Sequence, residues 1–202
     1  MRLYWGCETE KKKDEKEGDN KAHAAGADAA VTVVGNRIYY YARVDTAPIL
    51  DLNKALVEVS GKLISEFGTD APPIKLHINS LGGYLYDCMA GIGGILRCPV
   101  PVHTVIEGVA ASAATLISVH GVKRYIAKDS YMLIHQLRGV AWGKYEEMKD
   151  DMENARTFMK RIKLVYNKYT KVPDSELAQI LKRDIWWDSN TCLGYGLVDE
   201  VI

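Results

Sequence analysis

Ser112 lies in the segment Gly108-Val-Ala-Ala-Ser-Ala-Ala114, among six small residues, and the apolar run Thr115-Leu-Ile-Ser-Val119 follows it. Small residues let backbones approach closely, and a serine just ahead of an apolar run suits the first turn of a buried helix. There its hydroxyl is held beside backbone N–H groups that have no intrahelical partner. Such a place suits a nucleophile with an oxyanion site next to it. It equally suits a helix N-cap with no chemistry, and on these seven residues alone that is the commoner use of serine.

A serine nucleophile needs a base, a group that orients the base, and donors for the oxyanion. The chain has five histidines, at 23, 77, 103, 120 and 135, and residue type alone does not choose among them. His77 and His103 fall in strand-like stretches and also suit satisfied core positions. Asp184 and Asp188 are rival orienting acids, four residues apart.

Four segments resolve the choice by resemblance. Gly108-Val-Ala-Ala-Ser-Ala-Ala114 resembles the nucleophile segment of the ClpP-like serine peptidases, the proteolytic subunits of ATP-dependent Clp proteases. Tyr131-Met-Leu-Ile-His-Gln136 resembles that family's histidine segment. Lys182-Arg-Asp184, followed eleven residues on by Tyr195-Gly-Leu-Val-Asp199, resembles its aspartate segment and C-terminal signature. Ile78-Asn-Ser-Leu-Gly-Gly83 resembles its oxyanion loop. The four occur in the family's order, over roughly residues 33 to 202.

The resemblance implies a triad of Ser112, His135 and Asp184, with Asp188 as runner-up for the acid. It implies an oxyanion and substrate site at Gly82, Gly83 and Ala113, the donors being the backbone N–H groups of Gly83 and Ala113. A side chain at Gly83 is expected to block the approach of backbone to substrate. The implied activity is serine endopeptidase cleavage of unfolded proteins, in a self-compartmentalising assembly of stacked seven-membered rings, a tetradecamer. The implied partner is an AAA+ unfoldase of the ClpA, ClpX or ClpC type. No metal or cofactor is implied in this chain. ATP belongs to the partner, and no Gly-x-x-x-x-Gly-Lys-Ser/Thr loop is present here.

The sequence also departs from the family. Leu81 replaces the usual proline before Gly-Gly, Leu137 replaces the one after His-Gln, and the stretch from Ser112 to His135 is shorter by two residues. These changes point to a divergent branch, such as a viral or organellar one. They leave the triad whole, unlike the inactive ClpR-like subunits. Two alternatives stand beside the peptidase: a non-catalytic structural subunit of a mixed ring, and a crotonase-type acyl-CoA enzyme.

The elements that must position these residues follow from periodicity. Val31–Val34 and Arg37–Tyr41 are β-rich around Gly35-Asn36, a hairpin signal. Apolar residues at 49, 52, 56, 59, 63 and 67 predict an amphipathic helix over 45–67, ended by Asp70-Ala-Pro-Pro73. Ile74–Asn79 alternates as a strand, Ser80-Leu-Gly-Gly83 turns the chain, and a second helix runs from Tyr84 to about Leu96. Gly91-Ile-Gly-Gly94 lies inside that helix, where it reads as close packing and not as a dinucleotide fingerprint. Pro99–Ile106 is a strand leading straight to Ser112; Lys123–Ala127 and Tyr131–His135 are two more. Asp174–Lys182 is a short helix after Pro173, and Trp186–Ser189 an apolar turn. Strand–helix alternation with short joints predicts an α/β fold with parallel pairing. The resemblance sharpens this to the ClpP/crotonase-like ββα-superhelix.

Over 143–170, apolar or aromatic residues stand at 145, 148, 152, 155, 159, 162, 166 and 169, in unbroken steps of three and four. This is a heptad seam on one long helix of about 40 Å. Such a helix is too long to bury its whole stripe in one domain, and the resemblance makes it a handle joining two rings.

Composition sets the outer bounds. Lys plus Arg and Asp plus Glu are 26 each, which gives no support for a nucleic-acid partner. Cysteines at 7, 88, 98 and 192 form no Cys-x-x-Cys pair, so a zinc site is not expected. No run of 18 apolar residues exists, so no membrane span is expected, and Met1–Cys7 is too short for a signal-peptide apolar region. The expected location is the cytoplasm, an organelle stroma or matrix, or host cytoplasm for a viral chain. Residues 8–21 carry eleven charges in fourteen positions, and Ala22–Ala30 reads as a linker, so 1–30 is expected to be a flexible tail before a peptidase domain at 31–202.

Overall fold

The computed structural model describes Tyr4–Gly6 and residues 30–202. Tyr4–Gly6 forms a short strand, β1. The charged run at 8–21 and the linker up to residue 29 lie outside the described residues.

Gly35 takes φ 60°, a conformation that glycine adopts freely, and folds Val31–Val34 (β2) back on Arg37–Tyr40 (β3). Helix α1, Thr46–Phe67, starts where the Asp45 carboxylate accepts the Thr46 N–H at 2.7 Å. It buries Ile49, Leu52, Leu56, Val59 and Leu63, the expected stripe. Phe67, at its end, is exposed. The helix ends at Phe67, as the apolar spacing predicts. Gly68 turns left-handed at φ 59° and its N–H bonds the Ile64 carbonyl, which closes the last turn.

Strand β4, Ile74–Ser80, is followed by β5, Gly82–Tyr84, so part of the expected turn is itself a strand. Helix α2, Leu85–Arg97, packs on α1 through its glycines. A Cβ on Gly91 would stand 3.0 Å from Ile49 Cδ1, and one on Gly94 would stand 1.9 Å from Asn53 Oδ1. Close packing is therefore the role of Gly91 and Gly94.

Strand β6, Val102–Ala111, is the centre of the main sheet. After it come α3 (Ala113–Ser118), β7 (Arg124–Ile126), β8 (Tyr131–Leu133), α4 (Tyr145–Tyr169), α5 (Asp174–Ile180), α6 (Ser189–Gly194) and β9 (Glu200–Val201). The seven-stranded sheet runs β2-β3-β4-β6-β7-β9, with β8 also on β6. All its pairs are parallel except the β2–β3 hairpin.

The sequence suggested a strand running straight to Ser112, but β6 bends. Ile78 pairs with Ile106, whereas Ser80 pairs with Ala110, so β6 bulges by two residues around Gly108, which takes φ 81°. Below the bulge β6 pairs with β7, and above it Val109–Ala111 pairs with Tyr131–Leu133. Ser130 Oγ accepts the Gly108 N–H at 2.8 Å and fixes the bend. One strand thus serves two partners, and its upper half runs beside the strand that leads to His135.

Helix α4 divides its seam. Ile162 and Tyr166 are fully buried in the protomer, whereas Tyr145 is 70% and Met152 54% exposed. Its 25 residues span about 37 Å, so the exposed half lies well beyond the core. The segment Trp186–Ser189, expected only to turn, instead leads into α6. Asp188 caps that helix by accepting the Thr191 N–H at 2.8 Å.

Candidate active site

Ser112 stands at the joint of β6 and α3 with φ 58° and ψ −123°, the one positive-φ residue other than glycine among the described residues. A side-chain-bearing residue is held there only when its surroundings over-determine it, at a cost of about 1–3 kcal/mol. The surroundings are on hand. Ala110, Ala111, Ala113 and Ala114 are fully buried, and the Ser112 N–H donates to the Leu133 carbonyl at 2.8 Å. Thr115 Oγ1 donates to the Ser112 carbonyl at 2.6 Å and also meets the Tyr166 hydroxyl at 2.7 Å, tying the joint to the root of α4.

Ser112 occupies the cap position of α3, but its hydroxyl makes no capping hydrogen bond. Instead Oγ lies 2.8 Å from His135 Nε2. His135 Nδ1 lies 3.0 Å from Asp184 Oδ1, and Asp184 Oδ2 pairs with the Arg138 guanidinium. Ser112 and His135 are buried, while the Asp184 side chain is 41% exposed. Burial pushes the His135 pKa below the ordinary 6.5; Asp184 pulls it up and Arg138 pushes it down. The imidazole is thus neutral at neutral pH and able to accept a proton from Oγ.

The rival residues are engaged elsewhere. His77 Nδ1 meets Glu107 Oε1 at 2.8 Å, and its ring stacks on Tyr39. His120 Nδ1 meets the Leu116 carbonyl at 2.6 Å. His103 lies beside Tyr125, and His23 lies outside the described residues. Asp188 serves α6, and its hydrogen bonds with Thr191 hold its carboxyl below the usual range. Asparagine caps nearly as well as aspartate, so Asp188→Asn should leave stability almost unchanged and Asp188→Ala should lower it. Urea denaturation of the two variants checks this, and equal losses would contradict the capping role.

Gly82 packs directly on the nucleophile. A Cβ there would stand 2.7 Å from the Ala111 carbonyl oxygen, 2.8 Å from Ser112 Cβ and 3.0 Å from Ala113 N. Gly83 is also confined by the fold: a Cβ there would meet the Val44 carbonyl oxygen at 2.1 Å, so its tightest neighbour is this chain's own backbone. Val44 N–H donates to the Gly82 carbonyl at 2.9 Å, and Tyr84 N–H donates to the Val44 carbonyl at 2.8 Å. The N–H and C=O of Gly83 therefore face the opposite edge of β5. On that edge β1 runs antiparallel, with Trp5 in register with Gly83. Ala113 opens α3, where first-turn N–H groups lack intrahelical partners.

Three contacts escaped the sequence. The Thr115–Tyr166 bridge joins residues 51 apart, the Arg138–Asp184 pair joins residues 46 apart, and the β1–β5 pairing involves the stretch before the charged tail. The only sequence trace of the first was the place of Tyr166 in the heptad seam. Among the described residues no group of three or more His, Cys, Asp or Glu side chains is placed to hold a metal ion. No helix of the described residues is long and apolar enough to cross a membrane.

The chain resembles known proteins in sequence and in fold. The Clp protease family model matches residues 52–202. Over 154 residues the chain is 30% identical to the ATP-dependent Clp protease proteolytic subunit 3, chloroplastic, of Arabidopsis thaliana, covering 75% of this chain and 50% of that protein. Over 161 residues it is 27% identical to the ATP-dependent Clp protease proteolytic subunit of Streptococcus mutans, covering 78% and 82%. It spans about half the length of the chloroplast relative and more of the bacterial one. Its fold matches a ClpP1 variant from Listeria monocytogenes with a TM-score of 0.72 at 22% identity, covering 83% of this chain and 91% of that one. With the family match extending from α1 through the nucleophile joint to the last strand, this chain belongs to the Clp protease family.

Proposed function

We propose that this chain is a serine endopeptidase, the proteolytic subunit of a Clp-type ATP-dependent protease. One observation carries the reading: the unbroken relay Ser112 Oγ–His135 Nε2, His135 Nδ1–Asp184 Oδ1, built on a serine held at positive φ with its hydroxyl withheld from capping. Oγ attacks the scissile carbonyl carbon while His135 Nε2 takes its proton. The N–H groups of Gly83 and Ala113 receive the oxyanion. Collapse of the tetrahedral intermediate expels the amine, which takes the proton from His135, and water repeats the sequence on the acyl-enzyme. Asp184 holds the imidazole tautomer and stabilises the imidazolium.

An extended polypeptide is the substrate class. β1 occupies one edge of β5 in this structure, so an extended substrate that adds to that edge by backbone hydrogen bonds takes the place of β1 and frees the Gly83 N–H. Assembly follows from α4. A groove of about 500 Å³ lined by Leu137, Val140, Met152, Ala155 and Met159 lies beside its exposed half, and Trp142 nearby is 90% exposed. A second copy of the same helix would cover this apolar stripe, joining two rings into a chamber. ATP hydrolysis and unfolding fall to a separate AAA+ partner, and the chamber works wherever that partner does.

The test is covalent labelling. A fluorophosphonate should modify Ser112 of the assembled protein and abolish cleavage of a short peptide in proportion. An assembled particle that neither labels nor cleaves would leave a structural subunit of a mixed ring as the better reading. The pH profile is a second check. The base form of His135 is required, so activity is full above its pKa and lost as pH falls through it. Because that pKa is depressed, the acid limb of kcat/KM should have its midpoint below 6.5. A midpoint above that value would contradict the buried, neutral imidazole.

A further inference from the structure

Asp184 is not held by His135 alone. It lies between α5 and α6, with its side chain 41% exposed, so water competes for its carboxylate. Its second oxygen pairs with Arg138, three residues beyond His135. The segment carrying Arg138 is itself fixed on two sides. The Gln136 N–H donates to the Leu181 carbonyl at 2.6 Å, and the Leu137 N–H points at Met159 Sδ of α4 at 3.2 Å. We propose that Arg138 is a positioning residue of the triad: its guanidinium clamps one carboxylate oxygen of Asp184 so that the other stays on His135 Nδ1. This rests on the peptidase reading above.

The need for Arg138 lies in timing. While His135 is a neutral base, its pull on Asp184 is a single hydrogen bond of a half-exposed carboxylate. Once it becomes an imidazolium, the two charges attract. Without Arg138 the carboxylate would be held mainly after proton transfer, whereas general-base catalysis needs the tautomer fixed before it. The ionised groups acting on the imidazole include Asp184 from the α5–α6 loop and Arg138 from its own segment, and β6 and α3 bring the Ser112 hydroxyl. Removing the guanidinium also removes a repulsion on the imidazolium, so the His135 pKa should rise.

The experiment follows fluorophosphonate inactivation of Ser112 against pH, with native mass and kcat and KM for a short peptide on the same samples. In assembled Arg138→Ala the limiting inactivation rate at high pH should fall about tenfold, a scale set by loss of alignment. The midpoint of the acid limb should move up, and kcat should fall with KM little changed. Arg138→Lys should restore the midpoint but only part of the rate, because an ammonium lacks the planar fork that grips a carboxylate. Should Arg138→Ala fail to assemble, the Arg138→Lys and Arg138→Gln pair carries the same comparison, since lysine keeps the charge without the fork and glutamine removes both. A limiting rate within about twofold of wild type and an unmoved midpoint would overturn the inference while leaving the peptidase reading intact, since twofold lies far below the loss expected from misalignment. Absence of Ser112 labelling in the wild type would overturn the peptidase reading, and the triad role of Arg138 with it.

Discussion

Ser112→Ala should lower turnover of a short peptide by about four orders of magnitude or more, the scale on which triad nucleophiles are missed. The loss should fall on kcat, because only one oxygen is removed and the edge of β5 is untouched. The particle should keep its mass, since the alanine leaves the Ser112 N–H bond to the Leu133 carbonyl and the Thr115 bond to its own carbonyl in place. Asp184→Asn should cost about four orders at most, through the wrong imidazole tautomer. Peptide kinetics beside sedimentation measures all of this. Turnover of Ser112→Ala within a factor of ten of wild type would remove the relay as the source of activity. An effect at Asp188→Asn larger than at Asp184→Asn would mean the carboxylate on α6 is the working one.

The second large effect is expected far from the triad. Met148→Asp with Met152→Asp should break the proposed double ring into smaller species and take peptidase activity down with it. Both side chains lie on the outer half of α4 and are exposed in the protomer, so the fold of one chain should survive. Across a ring–ring contact they would become carboxylates buried without partners, each on the order of several kcal/mol. Met159, which also lies on the seam, is a poor choice for this test. Its sulfur meets the Leu137 N–H two residues from His135, so changing it would disturb the base directly. Sedimentation and cleavage on one sample decide the matter. Full-size particles, or single rings with undiminished turnover, would sever assembly from catalysis.

Much of this was legible in the sequence, and what was not has physical reasons. The α1 stripe, the β2–β3 hairpin and the length of α4 follow from periodicity and a glycine turn, which are local signals. The stop of α1 at Phe67 was legible as well, because the apolar stripe ends there, one residue before a glycine that turns left-handed. The bend of β6 was invisible because a two-residue bulge leaves no mark in an apolar run, although Gly108 stood in plain sight. Residue types left five histidines and two aspartates open. Family resemblance chose one of each, and those chosen groups lie within hydrogen-bond reach of one another. Arg138 and Thr115 were missed because each acts across a long separation, with no spacing rule to betray it.

The left-handed backbone of Ser112 has a consequence for how such a chain can change over time. Glycine alone would sit at φ 58° without strain, so the most comfortable residue at the joint is one that has no hydroxyl. Alanine would inherit the strain and lose the oxygen as well. Selection for durability alone would therefore drift this position toward glycine, and only selection for turnover would hold serine there. The joint between β6 and α3 is where persistence and work pull in opposite directions on a single residue.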